Sequence, residues 1–144
     1  MPYTQVIYGE PASKANSRRA VVIGGKPRFI KSKKALDYGK NFISQCEIQA
    51  PLFDGPVAVG MRIYYSSRRP DLDESLILDL LQDRVYVNDR QVKAKVIAWG
   101  LDKEEPRAEI IVAPLEEVDK VLAFVNLKAL GGAGTQPNAR TGRP

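Results

Sequence analysis

Residues 57–82, VAVGMRIYYSSRRPDLDESLILDLLQ, decide the fold of this chain. Apolar side chains stand at every second position over 57–65, which predicts a strand with one buried face. Pro70 disfavours helical backbone at the residue before it, so the chain is expected to be extended there. Over 73–82 the apolar side chains recur at helical spacing, which predicts a short amphipathic helix.

The sequence on either side of this stretch predicts further strands and helices. Strands are expected at residues 5–8, 18–23, 27–30, 92–99 and 108–112, with a short extended segment at 85–87. The pair Gly24-Gly25 separates the second and third of these strands and indicates a hairpin. Helices are expected over 32–48 and 115–130. The buried side of the first of these two helices is expected to hold Leu36, Phe42, Ile43 and Cys46.

This order of elements predicts an α/β (mixed α+β) fold in a single domain, with one mixed sheet flanked by helices. A length of 144 residues fits one domain, which is expected to span residues 1–130. The last residues, GGAGTQPNARTGRP at 131–144, have no apolar periodicity and predict a flexible C-terminal tail.

The chain contains one cysteine, Cys46, and no histidine. A single thiol excludes an internal disulfide and cysteine-rich zinc sites, and the lack of histidine removes the most common general base. Metal sites with only oxygen ligands favour Mg²⁺, Ca²⁺ or Mn²⁺. No stretch approaches the roughly 20 apolar residues of a membrane span, and the N-terminus lacks a signal-peptide pattern. We therefore expect a cytoplasmic protein without membrane contact.

The positive charge of the chain is concentrated near its N-terminus. The formal net charge is +5, and between Glu10 and Lys40 only Asp37 opposes a run of basic residues. The basic residues of this run that we expect to contact nucleic acid are Lys14, Arg18, Arg19, Lys26, Arg28, Lys31, Lys33 and Lys34. A phosphate-binding surface explains this concentration, and a solvated, solubilising face is the alternative.

Asp71 and Asp73 form the strongest chemical signal in the sequence. In extended chain, residues two apart point to the same side, so both carboxylates are expected to face one spot beside the basic surface. Two carboxylates held together repel each other, and a divalent cation relieves that repulsion. The alternative is a structural role, with Asp73 as the N-cap of the following helix and Asp71 favouring the helix dipole.

Asp89, in the segment VYVNDRQV at residues 85–92, is the candidate third carboxylate. The helix and short extended segment between it and Asp73 allow the chain to fold back, although the spacing does not require it. Turn formation together with Asn88 is the alternative role. Glu74 is a weaker candidate, either as an outer metal ligand or as an acid in the first turn of the helix.

These residues resemble the RusA-type Holliday-junction resolvases, the crossover junction endodeoxyribonucleases common in phages and prophages. The resemblance rests on PDLD at residues 70–73, the apolar helix after it, and VYVNDRQV at 85–92, in that order. Three further segments are similar to the family: GEPASKANSRR at 9–19, SKKALDYGKNF at 32–42 and GLDKEEPRAEIIV at 100–112. Together these segments cover about residues 4–113.

The resemblance implies a homodimer with a mixed α/β fold that cuts four-way DNA junctions symmetrically with Mg²⁺, for which Mn²⁺ is expected to substitute. It places the catalytic, metal-binding aspartates of the family on Asp71, Asp73 and Asp89. One departure concerns a lysine that the family often carries in the helix after D-x-D, because here the segment ESLILDLL has none. The candidate substitutes are Arg69, Arg84 and Lys93, and Arg69 is also a candidate DNA contact.

The sequence therefore predicts a Mg²⁺-dependent endonuclease that resolves four-way DNA junctions by paired nicks, in recombination, repair or phage development. The main alternative is a non-catalytic protein that binds branched DNA with the same basic surface. A metal-dependent nuclease acting on another nucleic acid is a second alternative, and a structural protein with a basic face is a third.

Overall fold

The computed structural model describes residues 2–12 and 18–126, without the side chain of Arg18. The strands are β1 (Tyr3–Tyr8), β2 (Arg18–Ile23), β3 (Lys26–Lys31), β4 (Val57–Tyr65), β5 (Val92–Leu101) and β6 (Arg107–Pro114). The helices are α1 (Lys33–Gln45), α2 (Ser75–Leu81) and α3 (Val118–Val125), with 3₁₀ turns at Asp89–Gln91 and Leu115–Glu117. The predicted tail at 131–144 and the end of the predicted last helix lie outside the described residues.

A four-stranded mixed sheet forms the centre of the fold, with strand order β1-β6-β4-β5. β6 pairs antiparallel with both β1 and β4, whereas β4 and β5 are parallel. A parallel pair needs a crossover connection, and α2 lies in the connection between β4 and β5. The fold class predicted from the sequence is confirmed. The structure adds a second sheet, the hairpin of β2 and β3.

Both faces of the central sheet are covered. One face packs against α1 and α2 and forms the larger core, in which Phe42 and Ile77 are fully buried. The other face packs against α3 and forms a smaller cluster. β4 was predicted to have one buried face, but its first five residues are all buried because α3 covers the second face. A Cβ on Gly60 would lie 2.7 Å from Cγ1 of Val121, so this close approach of α3 to β4 requires glycine.

The buried side of α1 differs from the prediction. Ala35, Tyr38 and Phe42 are buried, whereas Leu36 is 52% exposed and Ile43 is 46% exposed. The aromatic rings of Tyr38 and Phe42, whose centroids are 6.2 Å apart, face the core and turn Leu36 and Ile43 outward. The spacing of the apolar residues in α1 is compatible with burial of either set of side chains. The larger aromatic pair determines which side of the helix faces the core.

None of the helices in the described ranges combines the length and apolar character that crossing a bilayer requires.

Candidate functional site

The segment between β4 and α2, residues 66–74, folds back along β5, and we call it the acidic loop. Nε1 of Trp99 donates a hydrogen bond of 3.0 Å to the carbonyl oxygen of Pro70. Nζ of Lys95 lies 2.6 Å from Oε2 of Glu74. Since residues four apart in a strand share a face, these two side chains of β5 hold the acidic loop along one face of that strand. The loop therefore runs back from the end of β5 toward its start.

Asp71 and Asp73 lie at the N-terminal end of α2, as the sequence predicts. Oδ1 of Asp73 accepts hydrogen bonds from the backbone N–H of Ser75, at 3.0 Å, and from its hydroxyl, at 2.7 Å. The helix begins at Ser75 with Glu74 as its N-cap, so the predicted N-cap at Asp73 is displaced by one residue. The displacement arises because the Asp73 carboxylate bonds to the residue two positions ahead. Asp71 is exposed to solvent.

Asp89 lies at the other end of α2. Its backbone N–H donates a 3.0 Å hydrogen bond to Oε1 of Gln82, the C-cap of that helix. Asn88 and Gln91 form a capping box around the 3₁₀ turn that Asp89 begins, and Nε2 of Gln91 also bonds the carbonyls of Phe53 and Gly55. The turn chemistry considered for Asn88 is therefore present, and it leaves the Asp89 side chain exposed.

The three aspartates do not form a preformed cluster in one copy of the chain. α2 has seven residues and is therefore about 10 Å long, with Asp73 at one end and Asp89 at the other. Within residues 2–12 and 18–126, no group of three or more acidic or cysteine side chains is placed to hold a metal ion. The candidate metal ligands are carboxylate oxygens, the kind of ligand that hard divalent cations prefer.

Glu10 is an acidic residue beside the acidic loop that the sequence did not single out. Its Oε1 accepts hydrogen bonds from the backbone N–H of Ser66, at 2.7 Å, and from the Ser66 hydroxyl, at 2.8 Å. Burial raises the pKa of Tyr65, and the negative charges of Asp73, Glu10 and Glu74 raise it further. The Tyr65 hydroxyl also accepts a 3.3 Å hydrogen bond from the backbone N–H of Asp73, which lowers its pKa in part, and it stays protonated at neutral pH.

A pocket of about 450 Å³ connects Glu10 with the first turns of α1. It is lined by Gly9, Glu10, Lys33, Lys34, Asp37, Tyr38 and Asn41. Nδ2 of Asn41 donates a 2.8 Å hydrogen bond to the carbonyl of Tyr8, which fixes the turn at Gly9 against the helix. The pocket thus places the basic start of α1 beside Glu10, whose carboxylate bonds Ser66 of the acidic loop, 56 residues further along the chain.

The predicted DNA contacts whose side chains the structure describes are exposed, as a DNA-binding surface requires. Arg19, Lys26, Arg28 and Lys31 project from the hairpin, Lys33 and Lys34 from the start of α1, and Arg69 from the acidic loop. Lys33 also pairs with Asp37 at 3.1 Å, with both side chains well exposed. Lys14 and the side chain of Arg18 lie outside the described residues, so their predicted role stays a prediction.

The cation with a direct contact to the acidic loop was not predicted. Lys93 is exposed at the start of β5, and Arg84 is partly exposed in the turn after α2. Lys95 bridges to Glu74, next to Asp73. Its position two residues further along the strand places it beside the acidic loop, which no local sequence pattern reveals.

A family model described as Endodeoxyribonuclease RusA matches residues 9–113, well over half of the chain. This chain belongs to the RusA endodeoxyribonuclease family. The match includes the acidic loop, both ends of α2 and the β2–β3 hairpin, which are the parts that carry the candidate residues. Membership in the RusA family places the chain among endodeoxyribonucleases, a family that binds branched DNA. Nucleases of this type generally use a divalent metal. A comparison with individually curated proteins finds no match.

Proposed function

We propose that this protein is a Mg²⁺-dependent endonuclease that resolves four-way DNA junctions by paired nicks, acting as a homodimer in the cytoplasm. The observation that supports this proposal best is the placement of Asp71 and Asp73 on a loop that is connected, through the bonds of Ser66 to Glu10, to the basic start of α1. Carboxylates for a cation and cations for phosphates then lie on neighbouring surfaces. A two-fold dimer would match the approximate two-fold symmetry of a junction.

Asp71, Asp73 and Asp89 would hold the cation, for which Mg²⁺ is the preferred and Mn²⁺ a substitute occupant. When bound, the cation would activate a water and stabilise the charge that develops on the phosphodiester oxygens. Ser75 orients the Asp73 carboxylate through two hydrogen bonds. Since Asp89 lies at the opposite end of α2, its approach to the other two carboxylates has to accompany DNA binding or the pairing of two copies.

We also propose that Lys95 supplies the positive charge that the helix after D-x-D lacks, in preference to Arg84, Lys93 or Arg69. Its ammonium group is fixed at 2.6 Å from Glu74 beside the acidic loop. Lys95→Met is expected to lower the junction cleavage rate about tenfold, since a positioned charge of this kind contributes at least that much. Its stability cost is expected to stay below about 1 kcal/mol because the ion pair is partly exposed.

Single-turnover cleavage rates and urea unfolding of the Lys95→Met variant would check this expectation. Lys93→Met is the matched control, because it removes the same charge from β5 two residues away, at a position with no ion pair to Glu74 among the described residues. Equal loss of rate in both variants would show a general electrostatic effect and contradict a specific role for Lys95.

The proposed function is tested with an end-labelled synthetic four-way junction, a linear duplex and an RNA duplex of the same sequence. We expect nicks in opposing strands of the junction in Mg²⁺ or Mn²⁺, none in EDTA, and little cleavage of either duplex. Light scattering at micromolar concentration should give the mass of a dimer. Cleavage of linear DNA or RNA in preference to the junction would identify a different metal-dependent nuclease.

A non-catalytic branched-DNA-binding protein is the second candidate, favoured by the separation of Asp89 from Asp71 and Asp73. It predicts salt-sensitive junction binding with no cleavage in any divalent metal. The same junction assay therefore separates the two candidates.

A further inference from the structure

The β2–β3 hairpin is a separate arm of the molecule. Among the described residues its strands pair only with each other, from Arg18↔Lys31 at the base to Ile23↔Lys26 at the tip. Gly24 and Gly25 form the tight turn and have φ values of +61° and +79°. Glycine adopts such positive φ values freely, whereas most other residues adopt them only with strain. A lone two-stranded hairpin is only marginally stable. A partner that covers one of its faces would therefore stabilise it.

The two faces of this hairpin differ in chemistry. In the observed register, Ala20 lies opposite Phe29 and Val22 lies opposite Pro27, so these four residues form one apolar face. On the other face, Val21 and Ile30 are partly buried. All four residues of the apolar face are exposed to solvent. The hairpin thus presents its apolar face to solvent, whereas an apolar sheet face is ordinarily buried against the core.

Phe29 and Val22 dominate this apolar face. Phe29 is 76% exposed and Val22 is 74% exposed, the two largest values among the exposed large hydrophobic residues that the structure describes. Positions diagonal across an antiparallel pair are close enough for an aromatic side chain to contact its neighbour. The two side chains therefore form one apolar projection, and a flat aromatic ring provides most of its surface.

Positive charge lies on both faces of the hairpin, with Lys31 at the base of the apolar face and Arg19, Lys26 and Arg28 on the opposite face. Residues 18–36 contain no aspartate or glutamate. The exposed basic residues of the hairpin are Arg19, Lys26, Arg28 and Lys31. A symmetric contact through the apolar face would bring two cationic hairpins together, which like-charge repulsion disfavours. A polyanion with exposed apolar faces fits both features, and nucleic acid with unstacked bases has that chemistry.

We propose that the hairpin binds the branch point of DNA, with Phe29 stacking on an unstacked base and the cations of the hairpin contacting nearby phosphates. The inference rests on the proposed function for the identity of the substrate. Linear duplex offers no unstacked base, so the ring adds affinity only where the helix is interrupted. The hairpin thereby distinguishes a junction from the duplex arms that the basic surface binds equally well.

The test compares binding of a fluorescent four-way junction and a linear duplex by anisotropy, in Ca²⁺ without Mg²⁺, for the wild type and Phe29 variants. Phe29→Ala is expected to weaken junction binding about tenfold, the loss of one stacked base, while duplex binding changes less than about twofold. Phe29→Trp should keep the junction preference, and Phe29→Leu should lose most of it. Leu122→Ala, which removes an exposed apolar side chain from α3, is the control and should bind both DNAs like the wild type.

The remaining measurements separate this inference from the proposed function and from other partners. If Phe29→Ala binds and cuts junctions like the wild type, the hairpin inference is rejected while the nuclease function stands. A fall in dimer mass in light scattering of Phe29→Ala would assign the apolar face to a second copy instead. Binding of the wild type, but not of Phe29→Ala, to vesicles of anionic lipid with no loss of junction affinity would assign it to a membrane surface. If the wild type fails to bind any branched DNA, both proposals are rejected.

Discussion

Asp71→Asn is expected to lower junction cleavage by more than about a hundredfold while junction binding is kept or slightly improved. Replacing even an outer partner of a metal ligand typically costs about 10- to 100-fold, so loss of a carboxylate ligand should cost more. Asp71 is exposed, so the change should not disturb packing. Removing one negative charge beside the basic surface reduces repulsion of the phosphates, which accounts for the retained affinity. Gel assays of strand cleavage and anisotropy on the same junction measure the two effects.

Asp79→Asn is the matched control for this prediction. Asp79 is an exposed aspartate of α2, outside the proposed metal ligands, and the substitution removes the same charge. We expect its cleavage rate to stay within about threefold of the wild type. If Asp71→Asn cleaves like Asp79→Asn, Asp71 has no role in metal binding. The non-catalytic alternative then becomes the better explanation of what this protein does.

Ile77→Ala is expected to lower the free energy of unfolding by about 2–5 kcal/mol, a large part of the total stability of a domain of this size. Ile77 is fully buried in the larger core, and truncation leaves a cavity between α2 and the sheet. Because α2 carries Asp73 at one end and the hydrogen bond to Asp89 at the other, loosening it should also lower cleavage. Urea unfolding followed by circular dichroism gives the change in stability.

Ile48→Ala makes the same chemical change at a side chain that is 62% exposed, and it should cost less than about 0.5 kcal/mol. An equal loss of stability in the two variants would show that α2 does not dock through Ile77 as described. A loss of stability in Ile77→Ala without any loss of cleavage below the unfolding transition would show that the placement of α2 does not control the aspartates.

The neighbourhood of the acidic loop shows how much of the site a sequence can predict. The strand before it, the helix after it and the pair Asp71 and Asp73 all follow from short-range patterns. Glu10 and Lys95 do not, because each reaches the loop through contacts between residues distant in the chain, such as the hydrogen bonds of Glu10 to Ser66 and the ion pair of Lys95 with Glu74.

The orientation of α1 shows the same limit of sequence-based prediction in the core. Its apolar residues occupy a broad stripe, and the sequence placed Leu36 and Ile43 inside with Phe42. The structure buries Tyr38 with Phe42 instead, since the space under the helix accommodates two rings against the sheet. Which side of a broad apolar stripe is buried depends on the shape of the opposing surface, and that shape is absent from local periodicity.

The sequence by itself determined the mixed α/β class, the order of the strands and helices, the basic N-terminal region and the pair of aspartates before α2, because each depends on residues close together in the chain. Only the tertiary structure decided that Asp89 lies at the far end of α2, that Lys95 and Glu10 hold the acidic loop, and that the hairpin turns Phe29 outward. These features depend on the crossover between β4 and β5 and on the faces that the core leaves exposed, which form only when distant segments pack together.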